Sequence, residues 1–335
     1  MSLRLPNSEI RATPHKQIMK TLAPPVTGKP MGSRLWIYQK ERFPLVAYAP
    51  MVIVFTASAA YYSRFARGAP GFIPWDRFLV GAFTALVFFA WLRILDEHKD
   101  AEVDRRYRPE LPVPRGLVTR AELRMVGGGM LAIALILNAI VAPQLFGAIA
   151  VVVVYAALMT REFFVGEWLR AHPAAYLLSH MMILPLIDFY TTGLDWLAQG
   201  VLPPAALGLF LILTFLNGIV VEIGRKIRTP EAEREGVDTY TGAWGVGVAP
   251  VVWVVVLGLT ALIAGAALLA VDANPWELGL LAVFALLAAV PALRFIRQPR
   301  PALPRQIEAA SALWTIAMYL LLGVGRAAAH AIGGG

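Results

Sequence analysis

Apolar stretches follow one another along almost the whole chain, separated by short runs that hold the prolines, the glycines and nearly all of the charge. A hydrocarbon core about 30 Å thick needs roughly 20 mainly apolar residues in helical form. With charge clusters, Pro and Gly taken as ends, nine such segments are predicted: 43–62, 78–95, 122–141, 144–160, 174–194, 204–221, 246–271, 278–293 and 309–325. Residues 125–160 hold no charge over 36 positions, and Asn138 with Pro143 divides them into a helical hairpin. The pattern specifies an all-α, multi-pass transmembrane bundle of nine helices over 34–326, with tails at 1–33 and 327–335.

Composition supports this. Of 335 residues, 58% are hydrophobic and 16% charged, whereas a soluble domain is roughly half apolar and one quarter charged. The net charge of +8 does not indicate nucleic acid as a partner, because the basic residues form short clusters between uncharged runs rather than a patch on a soluble fold. The absence of cysteine excludes disulfides, thiolate metal sites and thiol nucleophiles. The first 30 residues interleave Arg4, Arg11, Lys16, Lys20 and Lys29 with five prolines and contain no apolar core, so they are not a secretory signal. They read as a disordered or surface-lying tail. An amphipathic anchor is the alternative, and the prolines interrupt its face.

Basic residues accumulate on the cytoplasmic side of short loops. An N-terminus inside places 26 of the 30 there and leaves only Arg64, Arg67, Arg77 and Arg326 outside. The expected setting is a bacterial inner membrane. Acids are equally uneven: six of 22 lie in 96–110 and five in 222–238, after the second and sixth helices and on the cytoplasmic side.

In the first cluster Asp96, Asp100 and Asp104 recur every four residues and so stack along one helix face. Adjacent carboxylates repel by a few tenths of a kcal/mol per pair, roughly, so a cation should offset them. Lys99, Arg105, Arg106 and Arg108 would do so in a merely solvated helix end. The functional candidate is Mg²⁺, a hard ion held by one or two carboxylates plus substrate phosphates. The prolines at 109, 112 and 114 then predict a stiff, extended connection to a third helix capped by Thr119 and Glu122.

Asp96-Glu97-x-x-Asp100-x-x-x-Asp104, followed by Arg108-Pro109-x-x-Pro112-x-Pro114-x-Gly116, resembles the first aspartate-rich motif and succeeding segment of the UbiA-type intramembrane prenyltransferases. In that family the motif is N-D-x-x-D-x-x-x-D. The resemblance implies a nine-helix fold, with Mg²⁺ held on a prenyl diphosphate by Asp96, Asp100 and Asp104, and transfer of the isoprenoid group to an acceptor that the sequence does not identify. Asp96 replaces the family's Asn and Glu97 its Asp. The second cluster departs further: Lys226 stands where an acid is expected, and about two residues are inserted before Gly236-Val237-x-Thr239. Glu222 is its ligand candidate, with Glu231 and Glu235 behind it.

Alternatives accompany each assignment. Glu222 and Lys226, four apart, form an ion pair in the plainer reading, yet an ionisable group after the 25 uncharged residues that follow Trp196 suggests a functional site. Arg108, Arg161, Arg225 and Lys226 are candidates for the diphosphate, while a positive-inside loop would carry them anyway. Asn217, Asp188 and Tyr155 are candidates for an acceptor or cation pocket, and Asn217 equally suits an interhelical hydrogen bond. Two other functions fit the same residues: cyclisation of a prenyl diphosphate without an acceptor, and a transporter or lipid-binding bundle that has lost chemistry.

Overall fold

A computed structural model describes residues 28–69 and 71–332. The expected N-terminal tail therefore lies mostly outside the described residues, as do the last three residues of the C-terminal one. Among the described residues nine helical segments are long and apolar enough to cross a membrane: Leu45–Ala66, Trp75–Lys99, Arg120–Val141, Pro143–Thr160, Pro173–Gln199, Leu207–Gly224, Val248–Leu269, Pro275–Arg297 and Leu303–Ile332. Each overlaps one predicted segment.

Helix α1 (Met31–Arg42) precedes the first span and was not expected; it places Tyr38 in a small core with Ile94, Leu117 and Leu123. Helices α2 (Leu45–Ala66) and α3 (Trp75–Lys99) form the first hairpin. A short α4 (Ala101–Tyr107) extends α3 beyond the span. Helix α5 (Arg120–Val141) begins at the expected cap, where Thr119 Oγ1 accepts from the Glu122 backbone N–H and the Glu122 carboxylate accepts from the Thr119 N–H. Asn138 does not end this helix; it lies inside, donates to Thr84 and accepts from Tyr190, and the break falls at Ala142–Pro143.

The 105–119 connection is not extended. Arg115 N–H donates to the Leu111 carbonyl and Leu117 N–H to that of Pro112, coiling the segment into consecutive turns. Proline at early turn positions fixes φ without opposing such bends.

Helices α6 (Phe146–Thr160) and α7 (Gly166–Ala171) lead to the fifth span, which is divided at Met182 into α8 (Pro173–Met181) and α9 (Ile183–Gly193). After α10 (Leu207–Gly224) a loop and the short α11 (Tyr240–Trp244) connect to α12 (Val248–Leu269), α13 (Pro275–Arg297) and α14 (Leu303–Tyr319). A π-helical turn at Leu320–Val324 joins α14 to α15 (Gly325–Ile332), so helix continues through positions 327–332.

Helices α10, α12, α13 and α14 pack in succession, and α14 returns to α2. Helix α9 occupies the middle, against α2, α3, α6 and α10. Burial follows: the fifth and sixth spans bury 61% of their apolar windows and the third only 17%. On α5 the buried stripe Leu123, Gly127, Ala134 and Asn138 faces α3, while Met125, Ile133, Ile136 and Ile140 face outward. Both faces are apolar because the surrounding solvent is lipid. Trp36, Trp75, Trp168 and Trp276 stand exposed near segment ends, as interfacial Trp does.

Three of the four arginines assigned outside are neutralised at the end of the bundle away from the acidic clusters. Fully buried Asp195 takes Arg64, Arg67 and the Ser63 hydroxyl, and Arg326 pairs with Glu277.

Candidate active site at the acidic end of the bundle

The C-terminal end of α3 and that of α10 bring the two acidic clusters together. Asp96 interacts electrostatically with Lys99 and Asp100 on its own side and with Arg225 and Glu222 from the sixth span. Beyond the helices the loops touch as well: Gly236, at φ +72°, lies against the Tyr107 ring. Only glycine combines that φ with so close an approach. At the base of the site Gly224 admits the Ser311 hydroxyl and the Trp253 indole, which holds the end of α10 against α12 and α14.

The aspartates retain the expected alignment. The chain bends at Asp100, yet Asp100 N–H still donates to the Asp96 carbonyl (2.9 Å) and Asp104 N–H to that of Asp100 (2.8 Å). Their environments differ. Asp96 is partly exposed and meets only a long contact to Arg93, at 3.7 Å. Asp104 is buried and pairs with Arg108 at 3.3 Å. Burial holds the Asp104 carboxyl above its ordinary range, the Arg108 charge opposing this and the nearby Asp100 adding to it. Glu97, in the family's Asp position, is fully engaged: it is 1% exposed, accepting from Arg42 Nε at 2.6 Å and from Arg93 at 3.1 Å.

Glu222 lies in the ion pair that the plainer reading expected, and in a second one. Lys226 Nζ is 2.9 Å from one carboxylate oxygen and Arg225 Nε 2.6 Å from the other. Burial alone would lower Arg225, and the Glu222 charge and hydrogen bond, with the Asp96 charge added, together more than reverse it. Lys226 also sits 5.7 Å over the Tyr240 ring. Glu231 and Glu235 are exposed on the loop. Glu233 between them is occupied internally, accepting from the Thr239 and Thr241 hydroxyls.

The remaining candidates disperse. Arg161 is exposed at the end of α6 and is not brought to the aspartates by any contact among the described residues. Tyr155 donates to the Ser179 carbonyl at 2.7 Å. Asn217 exchanges hydrogen bonds with Thr315 across α10 and α14, the structural role weighed for it. Asp188 is completely buried at mid-bundle, where it accepts from the Tyr319 and Thr191 hydroxyls.

Tyr176, Arg42 and Tyr38 were not foreseen as neighbours of the site. Lys99 donates to the Tyr176 hydroxyl at 2.6 Å, and the Tyr176 ring stacks on His180 at 3.9 Å. His180 Nδ1 donates to the Tyr176 carbonyl (2.9 Å), which turns Nε2 toward Lys99. Arg42 and Tyr38 reach the site from α1. Of these contacts the Tyr176–His180 stack, at i and i+4, leaves a local trace in the sequence; Arg42 and Tyr176 reach the site from distant segments.

Carboxylate oxygens suit a hard divalent ion. Among the described residues no three acidic or histidine side chains gather around one point, so the donor set fits an ion that arrives with phosphate oxygens rather than a closed protein cage. Asp96 and Asp100 are the motif acids least committed to other partners.

A family model described as the UbiA prenyltransferase family matches residues 52–321. No curated protein shows significant sequence similarity to the chain. Among solved structures, one concerned with digeranylgeranylglyceryl phosphate synthase in membranes superposes with a TM-score of 0.61 at 13% identity, covering 88% of this chain and 99% of the other. The apo structure of a UbiA homolog from Aeropyrum pernix K1 gives 0.62 at 13% identity, covering 84% and 98%. A UbiA homolog from Archaeoglobus fulgidus bound to GPP and Mg²⁺ gives 0.48 at 14%, covering 82% and 97%.

Proposed function

The chain belongs to the UbiA prenyltransferase family, and from that premise we propose that it transfers an isoprenoid group from a prenyl diphosphate to an acceptor held in the bundle, with Mg²⁺ assistance. One observation carries this reading: Asp96 faces Glu222 and Arg225 where two loops meet at the end of an apolar bundle. Anionic and apolar parts of a prenyl diphosphate match the two halves of that arrangement.

Asp96, Asp100 and Asp104 are the proposed metal-binding face, with Glu222 opposite. A divalent ion bound there would supply positive charge to the departing pyrophosphate. Arg225 and Lys226 now spend their charge on Glu222. An incoming diphosphate competes for both cations, and every cation it takes frees a carboxylate oxygen of Glu222. Arg108 stands in the same relation to Asp104. Arg161 is kept as a further diphosphate contact, and Tyr155, Asp188 and Asn217 as candidates for the acceptor or cation pocket. In the transfer the carbon–oxygen bond of the substrate breaks with its electron pair on pyrophosphate. The acceptor then bonds to that carbon and releases a proton. Helices closing around the site exclude water from the electron-poor carbon.

The proposed setting is a bacterial inner membrane, with the N-terminus and both acidic loops cytoplasmic and the bundle domain spanning 34–326. The test is incubation of purified protein and Mg²⁺ with prenyl diphosphates from C10 to C50 and a panel of aromatic and lipid acceptors. Product containing both parts supports transfer. A cyclic hydrocarbon or alcohol without acceptor means a cyclase, and neither binding nor turnover of any chain length ends the enzymatic reading.

A further inference from the structure

Eight of the 18 cytoplasmically assigned arginines of the described residues are ion-paired, among them Arg34 with Glu122, Arg42 and Arg93 with Glu97, Arg108 with Asp104, Arg115 with Glu41 and Arg225 with Glu222. Around the connection between α13 and α14, three of the others share one concavity. Arg294, Arg297 and Arg300 line one pocket of about 400 Å³ together with Gln298, Leu303 and Gln306, and no carboxylate lines it. None of the three arginines has an ion-pair partner among the described residues; the Arg300 guanidinium donates only to the neutral Gln298 amide oxygen, at 2.7 Å. The first turn of α14 contributes no acid. Solvated positive-inside residues require no pocket, whereas three unpaired guanidinium groups around one concavity make an anion site.

A second, larger cavity of about 880 Å³ lies on the same seam between α13 and α14. Most of its wall is apolar, including Leu287, Leu313 and Ile316, all exposed at the outside of the bundle, while Asn274, His330 and the Glu277–Arg326 pair line its far end. Ala310 in this groove lies one turn, about 6 Å, after Gln306 of the arginine pocket, and Leu287 lies about 10 Å along α13 from Arg294. From Ala310 to Arg326 the groove runs about 24 Å, longer than the roughly 15 Å half-thickness of a hydrocarbon core. Trp314 also lines it, and its indole N–H is buried without a partner.

We infer that the seam between the eighth and ninth spans is a binding site for an anionic glycerophospholipid, its phosphate on Arg294, Arg297 and Arg300 and an acyl chain in the adjoining groove. The site is separate from the aspartates and does not depend on the reading of their chemistry. A bilayer lipid is the occupant because the groove opens on the exposed, apolar side of the bundle, where lipid is the solvent, and because head pocket and groove are spaced as phosphate and chain are.

Native mass spectrometry of the full chain in detergent tests this, with phosphatidylglycerol, phosphatidylcholine of the same chains, geranylgeranyl monophosphate and inorganic phosphate as probes. Phosphatidylglycerol is expected to be retained at least tenfold better than phosphatidylcholine. Each arginine near a membrane surface is worth about a factor of five, so Arg297→Gln should cost about fivefold and the triple Arg294→Gln, Arg297→Gln, Arg300→Gln about 100-fold. Leu313→Trp, at an exposed groove position, should weaken retention severalfold. Thermal midpoints near that of the parent exclude misfolding, and the single variant serves if the triple one fails to fold. Equal binding of the zwitterionic lipid, or undiminished retention by Arg297→Gln, overturns the proposal. So does displacement of the lipid by geranylgeranyl monophosphate or inorganic phosphate at equal concentration.

Discussion

The Arg42–Glu97 pair ties α1 to the acidic end of the bundle, and its strength can be measured. Glu97 is 1% exposed and Arg42 14%, with Nε and Oε1 2.6 Å apart. At an effective dielectric near 20, unit charges about 4 Å apart attract by about 4 kcal/mol. Desolvation of both groups opposes this, and Arg93 remains to hold Glu97 when Arg42 is removed. The net coupling expected is therefore about 1.5–3 kcal/mol, the range of charge-assisted hydrogen bonds. A double-mutant cycle of Arg42→Gln, Glu97→Gln and the pair, followed by denaturant unfolding in detergent, isolates it. Arg42→Gln alone should be more harmful than the double variant predicts by addition. A coupling below about 0.5 kcal/mol would refute the reasoning that this contact anchors α1. The variants should also raise KM for prenyl diphosphate more than they lower kcat, since Glu97 neighbours Asp96 without being free to bind.

Asp100→Asn keeps shape and removes charge from the metal-binding face; turnover should fall at least 100-fold, and an unchanged rate in the prenyl-transfer assay would contradict the assignment. Glu222→Gln should weaken the apparent Mg²⁺ affinity about tenfold or more while leaving prenyl diphosphate binding intact, read by activity against Mg²⁺ and by ligand binding separately; unaltered Mg²⁺ dependence would restrict Glu222 to its ion pairs. Because burial raises the Asp104 carboxyl above its unfolded value, the native state holds that proton more tightly, so its contribution to stability is full at acid pH and is lost as pH rises through the folded pKa. Thermal midpoints of the parent and Asp104→Asn should consequently diverge from about pH 4 upward in favour of the variant, and parallel curves would show that Asp104 does not titrate as its burial implies.

The hydrophobic pattern specified the number of spans because bilayer crossing is a length requirement on a local helix, and each predicted segment overlaps an observed one. The capping box at Thr119 and Glu122 was legible for the same reason: its partners are three residues apart. The Asp96, Asp100 and Asp104 face was also legible, since a four-residue repeat is a helical property. Residues without a local signal were not. Helix α1 has no apolar run long enough to register, although its Arg42 completes the Glu97 site. Tyr176 reaches Lys99 from 77 positions away. Asn217 offered two equivalent readings until Thr315, on another helix, accepted its hydrogen bond.

What the sequence determines alone is therefore one-dimensional: how many helices cross, where charge is allowed, and which acids share a helix face. Tertiary structure alone decides which acids are free to bind and which are already neutralised. Glu97 and Glu222 look like ligands by type and position, yet both are held by arginine or lysine, while Asp96 stays open between the two clusters. The same holds for the basic residues. Electrostatic energy depends on distance in space and on burial, neither of which is encoded in spacing along the chain.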